Sequence, residues 1–355
     1  MGRIRQLAAA LAVAVVPLSL TACSSLINPG ASSAGSDSAT LTVYSNSVSD
    51  GRGEWLKEQA EAAGFSIEYV DAGGGDVYNR IVAEKDAPVA DVVFGLNDVF
   101  FNKLIEAGTL EQYTPAWADK VSDDVVDTRS FYYPIVKEPI MLVCDRDNLV
   151  DGQMPSDWSD LWTKDEFAGA YEVPAKLSGA TVQMVMTSIL MPYRDADGKL
   201  GISQQGWDAV SQWYANGRRA EEGTDLYAQM SQGNVACGQM WLAGKLSRDA
   251  EYGIVTDAAR PSTGVPIVRQ GVAIIKGAKN LDAAKKFADW LGSAEVQAAW
   301  SQQFGTAPTN VDALADGSKE AIDFTASFAE QDIDWDFVAK NLDAWVEEVQ
   351  LNYIK

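Results

Sequence analysis

Apolar and polar positions divide the chain into three unlike stretches. Arg3 and Arg5 open it, and an apolar run from Leu7 to Leu20 follows, broken by Pro17. Residues 24–39 (SSLINPGASSAGSDSA) are small and polar, the composition of a flexible tether. From Leu41 onward, short β-branched runs alternate with segments of helical periodicity. The pattern predicts strands over residues 41–44, 65–70 and 90–95. It predicts a helix over 52–63, capped by Ser49 or Asp50 and stopped by Gly64, and another over 76–85. Asn97 is placed to cap a third helix ending at Ala107, with Gly108 just beyond.

A second block repeats the alternation. Strands are predicted over 139–144, 171–174 and 235–240, and helices over 156–162, 181–191 and 204–217. The last of these carries Trp207, Val210 and Tyr214 on one face. Residues 271–275 (GVAII) predict a strand returning to the first block. Asn280 is placed to cap a helix over 281–291 that turns Ala283, Phe287 and Trp290 inward, and the C-terminal third is helical and acidic. Strand–helix repetition of this kind argues for an α/β fold, a parallel sheet covered by helices.

Composition narrows the function. The 355 residues hold 28 basic and 50 acidic side chains, a net charge of −22, and no histidine. So acidic a surface repels phosphodiester backbones and excludes nucleic acid as a partner. The missing histidine removes Ser-His-Asp chemistry and histidine-based zinc sites. With no cofactor fingerprint and no metal-ligand spacing, neither enzyme activity, cofactor nor metal is expected. The N-terminal stretch reads as a secretory signal peptide over residues 1–22, its apolar run too short to span a bilayer comfortably. Leu20-Thr21-Ala22-Cys23 resembles a bacterial lipobox, which implies that Cys23 is lipidated and becomes the mature N-terminus. The working protein is then extracytoplasmic and lipid-anchored to the cell membrane through residues 23–39. Cys144 and Cys237 remain. In an oxidising compartment they form one disulfide, or else stay as two buried thiols.

Three passages carry a family resemblance. LTVYSNSVSDGRGEWLKEQAEAAGFSIEYV resembles a first strand, ligand loop and helix; PSDWSDLW with VPAKLSGATVQM resembles the entry to a second lobe. The most specific is GVPIVRQGVAIIKGAKNLDAAKKFADWLGSAEVQAAWSQQFGTAPTN, similar to a return strand with its following helix pair and Pro-containing loop. Together they resemble the solute-binding lipoproteins of ABC importers, of the type II periplasmic-binding-protein fold, in the branch with ferric-iron, thiamine, polyamine and phosphonate binders. The resemblance implies two α/β lobes with a ligand cleft between them. Lobe 1 would take residues 40–137 plus 271–310, lobe 2 residues 138–270, and 311–355 would be helices packing on both. It implies a monomer that captures a small solute by hinge closure and delivers it to a membrane permease. The alternatives are a ferric-iron, thiamine or polyamine binder of the same fold, or a ligand sensor rather than a transporter component.

Ligands of open α/β sheets collect beyond the carboxyl ends of the strands. That rule selects Ser45, Asn46 and Ser47 after the first strand, Gly74 among Gly73–Gly75 after the second, and Asn97 after the third. In the second block it selects Ser178, Gly179, Ala180 and Thr181 at a helix start, where hydroxyls and N–H groups suit an anion. Trp241 offers an aromatic floor, and Arg269 and Gln270 lie beside the return strand. Arg269 reads as a carboxylate or phosphonate partner or as a surface charge. Tyr132-Tyr133 suggests ferric iron, but Gln239-Met240-Trp241-Leu242 stands where the resemblance would place a tyrosine pair. Asp71, Asp76, Asp98 and Glu138 lie near loop ends and keep a cationic ligand open. The glycine and serine loops favour an anionic or oxygen-rich organic solute, such as a phosphonate or phosphorylated compound.

Overall fold

The chain enters its core at strand β1 (Thr40–Ser45), whose Leu41 and Val43 are buried on one face and Tyr44 on the other. The computed structural model describes residues 39–122, 128–221 and 223–354; the signal stretch, Cys23 and the tether up to residue 38 lie outside the described residues. Helix α1 (Arg52–Ala62) leads to β2 (Ser66–Asp71), α2 (Gly74–Ala83) to β3 (Val92–Phe94), and α3 (Asp98–Ala107) to β4 (Leu110–Glu111). A long strand, β5 (Tyr132–Asp145), carries the chain into the second block: α4 (Asp160–Thr163), β6 (Glu172–Val173), α5 (Ala180–Leu190), β7 (Arg194–Lys199), α6 (Gln204–Asn216) and β8 (Arg218–Arg219). Then come α7 (Leu226–Ser231), β9 (Cys237–Trp241), α8 (Leu242–Tyr252), β10 (Thr256–Ala258) and β11 (Ile267–Ile275). The chain closes with α9 (Leu281–Leu291), α10 (Ala294–Phe304), β12 (Ala307–Pro308), α11 (Lys319–Ala326) and α12 (Trp335–Asn352).

The sheet is mixed rather than parallel. Strands β2, β1 and β3 run parallel, but β11 returns antiparallel to β3 and β5 antiparallel to β11. The second block hands the chain back in the opposite sense, so the expected parallel order holds only for the first three strands. Within β5 the partners change. Residues up to Pro139 pair with β11, whereas Ile140 to Cys144 pair with β9 and Val143 to Asp145 with β10. One strand therefore belongs to two differently partnered halves.

Each half has its own pair of cores. In the first, Val43, Val92, Phe94 and Val272 face α1 and α9, while Tyr44, Val93 and Ala273 face α2 and α3. In the second, Ile140, Leu142 and Cys144 face α5, α6 and α12, and Met141 and Val143 face α7 and α8. This is the period-two alternation of a strand covered on both sides, and each buried Val, Leu or Phe contributes roughly 1.5–3 kcal/mol. Cys144 and Cys237 sit opposite each other on β5 and β9 and are joined by a disulfide.

Several local expectations need correction. Neither Ser49 nor Asp50 caps α1; Gly51, at φ 79°, is its N-cap, a left-handed position that glycine adopts without strain. Helix α2 starts at Gly74, so two of the three glycines form its first turn rather than a separate turn. Strand β5 starts at Tyr132, not residue 139, because Pro134, Lys137 and Glu138 interrupt the apolar pattern without ending the strand. Asn280 precedes α9 but donates its side-chain amide to Asp91 instead of capping. Helix α9 buries Ala284, Phe287, Ala288 and Leu291, leaving Ala283 and Trp290 half-buried. Asn97 does accept from Phe100 N, and Gly108 follows α3 at φ 68°.

Candidate functional site

A cavity of about 220 Å³ opens where the two halves meet. Its floor comes from the strands they share. Glu138 and Ile140 on β5 and Val268 and Gln270 on β11 present alternate side chains to it. One wall is built by loops of the first half, contributing Asn46, Ser47, Gly74 and Asn97. The other comes from the start of α5, with Gly179, Ala180 and Thr181, and from Trp241 at the end of β9. Nine of the eleven residues selected from the sequence thus line one cavity. The other two do not. Ser45 is fully buried and its Oγ accepts from Ser47 N at 3.0 Å, bracing the loop from beneath. Ser178 stands one residue before Gly179, outside the lining.

The local geometry holds this wall in place. Ser47 Oγ donates to Gln270 Oε1 at 2.7 Å, tying the first loop to the return strand. Gly95 lies at φ 98°, and a Cβ there would fall 2.5 Å from Ser47 Oγ, so only glycine permits the approach. Gly244 does the same for Trp241, whose ring would lie 2.6 Å from an added Cβ. Across the cavity mouth, a Cβ on Gly75 would come within 4.0 Å of the Ser178 carbonyl, so the two halves nearly touch there.

The polar inventory is unusual. Helices α2 and α5 have Gly73 and Gly179 as their N-caps, so neither start is closed by a side-chain cap. Gly73 and Gly74 at one start and Gly179, Ala180 and Thr181 at the other belong to the lining, where the positive ends of the helix dipoles lie. Asn97 spends its Oδ1 on Phe100 N at 3.2 Å, and its Nδ2 is buried with no hydrogen-bond partner. Asn46 Oδ1 and Glu138 Oε2 are likewise buried and unpartnered. Burial pushes the Glu138 carboxyl up to about 7, against a weaker opposing pull from Arg52.

Sequence reasoning missed Arg52, Trp300, Ser49, Met184, Ile140 and Val268, all of which line the cavity. Arg52 has its guanidinium 5.4 Å from the Phe304 ring and 3.9 Å from Asp50. Trp300 reaches the site from α10, packed edge-on against Phe94 and Trp55. Of the four acidic candidates, Glu138 alone lines the cavity. Asp98 is buried and accepts from Tyr132 Oη at 2.7 Å, its carboxyl raised to about 6 by burial. Arg269 is neither a ligand partner nor a surface charge. It is 1% exposed on the opposite face of β11 and pairs bidentately with Glu330 at 2.7 and 2.9 Å. Tyr132 stacks on Phe101 and Tyr133 packs against Trp117, and among the described residues no tyrosine lines the cavity.

A mixed α/β architecture whose halves share strands around a cleft defines a two-lobed solute-binding protein of the type II periplasmic class. Residues 87–341 match the model of the bacterial extracellular solute-binding protein family, and the chain belongs to that family. It is 36% identical over 313 residues to "Probable ABC transporter periplasmic-binding protein" of Sinorhizobium fredii, covering 88% of this chain and 86% of the relative. It is 26% identical over 327 residues to "Putative 2-aminoethylphosphonate-binding periplasmic protein" of Salmonella typhimurium, covering 86% and 90%. Among solved structures it resembles the periplasmic binding protein P5PA, at a TM-score of 0.74 and 22% identity, over 89% of this chain and 99% of that one. It also resembles a ferric binding protein from Campylobacter jejuni, at 0.73 and 18%, over 88% and 99%. The protein is therefore a substrate-binding protein of the ABC-transporter kind. Among the described residues no helix is long and apolar enough to cross a membrane.

Proposed function

We propose that the protein captures a small oxygen-rich anion, a phosphonate or phosphorylated organic solute, and delivers it to a membrane permease without chemical change. Lobe 1 (residues 40–137 and 271–310) and lobe 2 (138–270) close on the solute about β5 and β11, residues 311–355 pack on both, and lipid on Cys23 keeps the protein at the membrane surface. One observation carries the anionic reading: two helix starts without side-chain caps, α2 from one half and α5 from the other, open on a single cavity that Arg52 also lines. Backbone N–H groups at two helix starts can hold an anion from opposite sides, and only closure brings both to bear, which is how a ligand shifts the population toward the closed form. The family's relatives include one named for a phosphonate. A ferric centre held by tyrosinates is disfavoured, because no tyrosine among the described residues lines the cavity.

Thermal melting of the purified protein tests the reading against phosphonates, phosphate monoesters, thiamine, polyamines and ferric complexes. A melting temperature that climbs with phosphonate or phosphate-ester concentration is the expected result. A response to polyamines or ferric complexes alone would overturn it.

A further inference from the structure

Among the described residues, Glu138 is the one acidic side chain in the cavity lining. It is 2% exposed, and its Oε2 is buried with no hydrogen-bond partner. It stands on the cavity face of β5, two residues before Ile140 and paired in register with Val268, so its immediate strand neighbours on that face are apolar. The pull of Arg52 on this carboxyl is weaker than the effect of its burial, and a buried carboxylate so incompletely compensated is costly. An anionic ligand would make it worse, since a second negative charge would enter the same small space. Arg52 and the two helix starts account for an anion, but Arg52 does not offset the burial of Glu138. Trp241 and Trp300 line the same cavity, and aromatic rings accommodate alkylammonium groups.

We infer that the cleft takes a zwitterion: the helix starts hold its anionic end, and Glu138 receives a cationic ammonium end. The inference rests on the anionic reading above and adds the second charge. Glu138 is then the residue that distinguishes an aminoalkyl phosphonate or phosphate from its amine-free counterpart. Burial already favours the protonated carboxyl in the empty cleft; an arriving ammonium would reverse that preference by direct pairing.

Titration calorimetry at about pH 8 tests this with two matched pairs: 2-aminoethylphosphonate against ethylphosphonate, and phosphoethanolamine against ethyl phosphate. The wild-type protein should prefer the amine-bearing member about 10- to 100-fold, the range of one charge-assisted hydrogen bond. Glu138→Gln should bring the ratio close to one. Equal wild-type affinity for both members of a pair overturns the zwitterion and leaves the anionic reading standing. If no member of either pair binds, the anionic reading falls and takes the zwitterion with it. The wild-type comparison needs no variant, so a folding defect in Glu138→Gln cannot mask the answer.

Discussion

Replacing Glu138 with glutamine should stabilise the empty protein above neutral pH, even as it weakens discrimination of its solute. The carboxyl is raised from 4.5 to about 7 in the folded state, chiefly by burial. Between those values the native chain keeps a proton that the unfolded chain has lost. The unfolding free energy therefore falls as pH rises through this window and levels off above it. A shift of this size corresponds to roughly 3 kcal/mol. Glutamine keeps the shape without the titration, so the stability gap between Glu138→Gln and wild type should widen by about that much from about pH 4.5 to about pH 8. Asp98, raised to about 6, and Glu172, raised to about 7, contribute equally to both proteins and cancel. Urea unfolding followed by tryptophan fluorescence across that range gives the comparison. Parallel stability curves for the two proteins would refute the reasoning, because the carboxyl would then be hydrated or paired in the fold.

Other perturbations reach different parts of the structure. Gly95→Ala places a Cβ against Ser47 Oγ at a left-handed φ of 98°; it should cost about 1–3 kcal/mol of stability and lower solute affinity at least tenfold, read by melting and titration. Removing the Cys144–Cys237 bond, whose partners are 93 residues apart, should cost about 2–5 kcal/mol in denaturant unfolding; an unchanged midpoint in reductant would mean the cross-link constrains little. Cys23→Ser should release the protein into the medium, seen by immunoblotting of membrane and culture fractions, and continued membrane retention would rule out the lipid anchor.

Much of the architecture is legible because strand and helix periods differ. Asn97 and Gly108 bracket α3 as their capping chemistry requires. The loop residues of the cavity follow from one rule, that space for a ligand lies beyond the carboxyl ends of strands, which is why Asn46, Gly74, Asn97 and Gly179 are all readable in advance. The sense of β11 and the length of β5 are not, since pairing direction is decided by where the second half returns the chain. Arg52 and Trp300 are invisible to a local rule. One sits in the first turn of a helix whose other residues are unremarkable, and the other arrives from α10 through packing on Phe94. Glu138 did leave a trace: with Lys137 it is one of two charges inside PIVKEPIMLVC, a run whose remaining residues are apolar enough to be buried on both faces. Arg269 shows the limit of that kind of signal. Its position beside the return strand is the same as that of Gln270, and only the strand's alternation sends one to the cavity and the other to Glu330.

Amide hydrogen exchange, with and without 2-aminoethylphosphonate at saturating concentration, tests the central claim most directly. Two helix starts from opposite halves gripping one solute predict simultaneous protection of residues 73–76 and 179–182. Protection confined to one of these segments, or a bound solute that protects neither, would contradict the account.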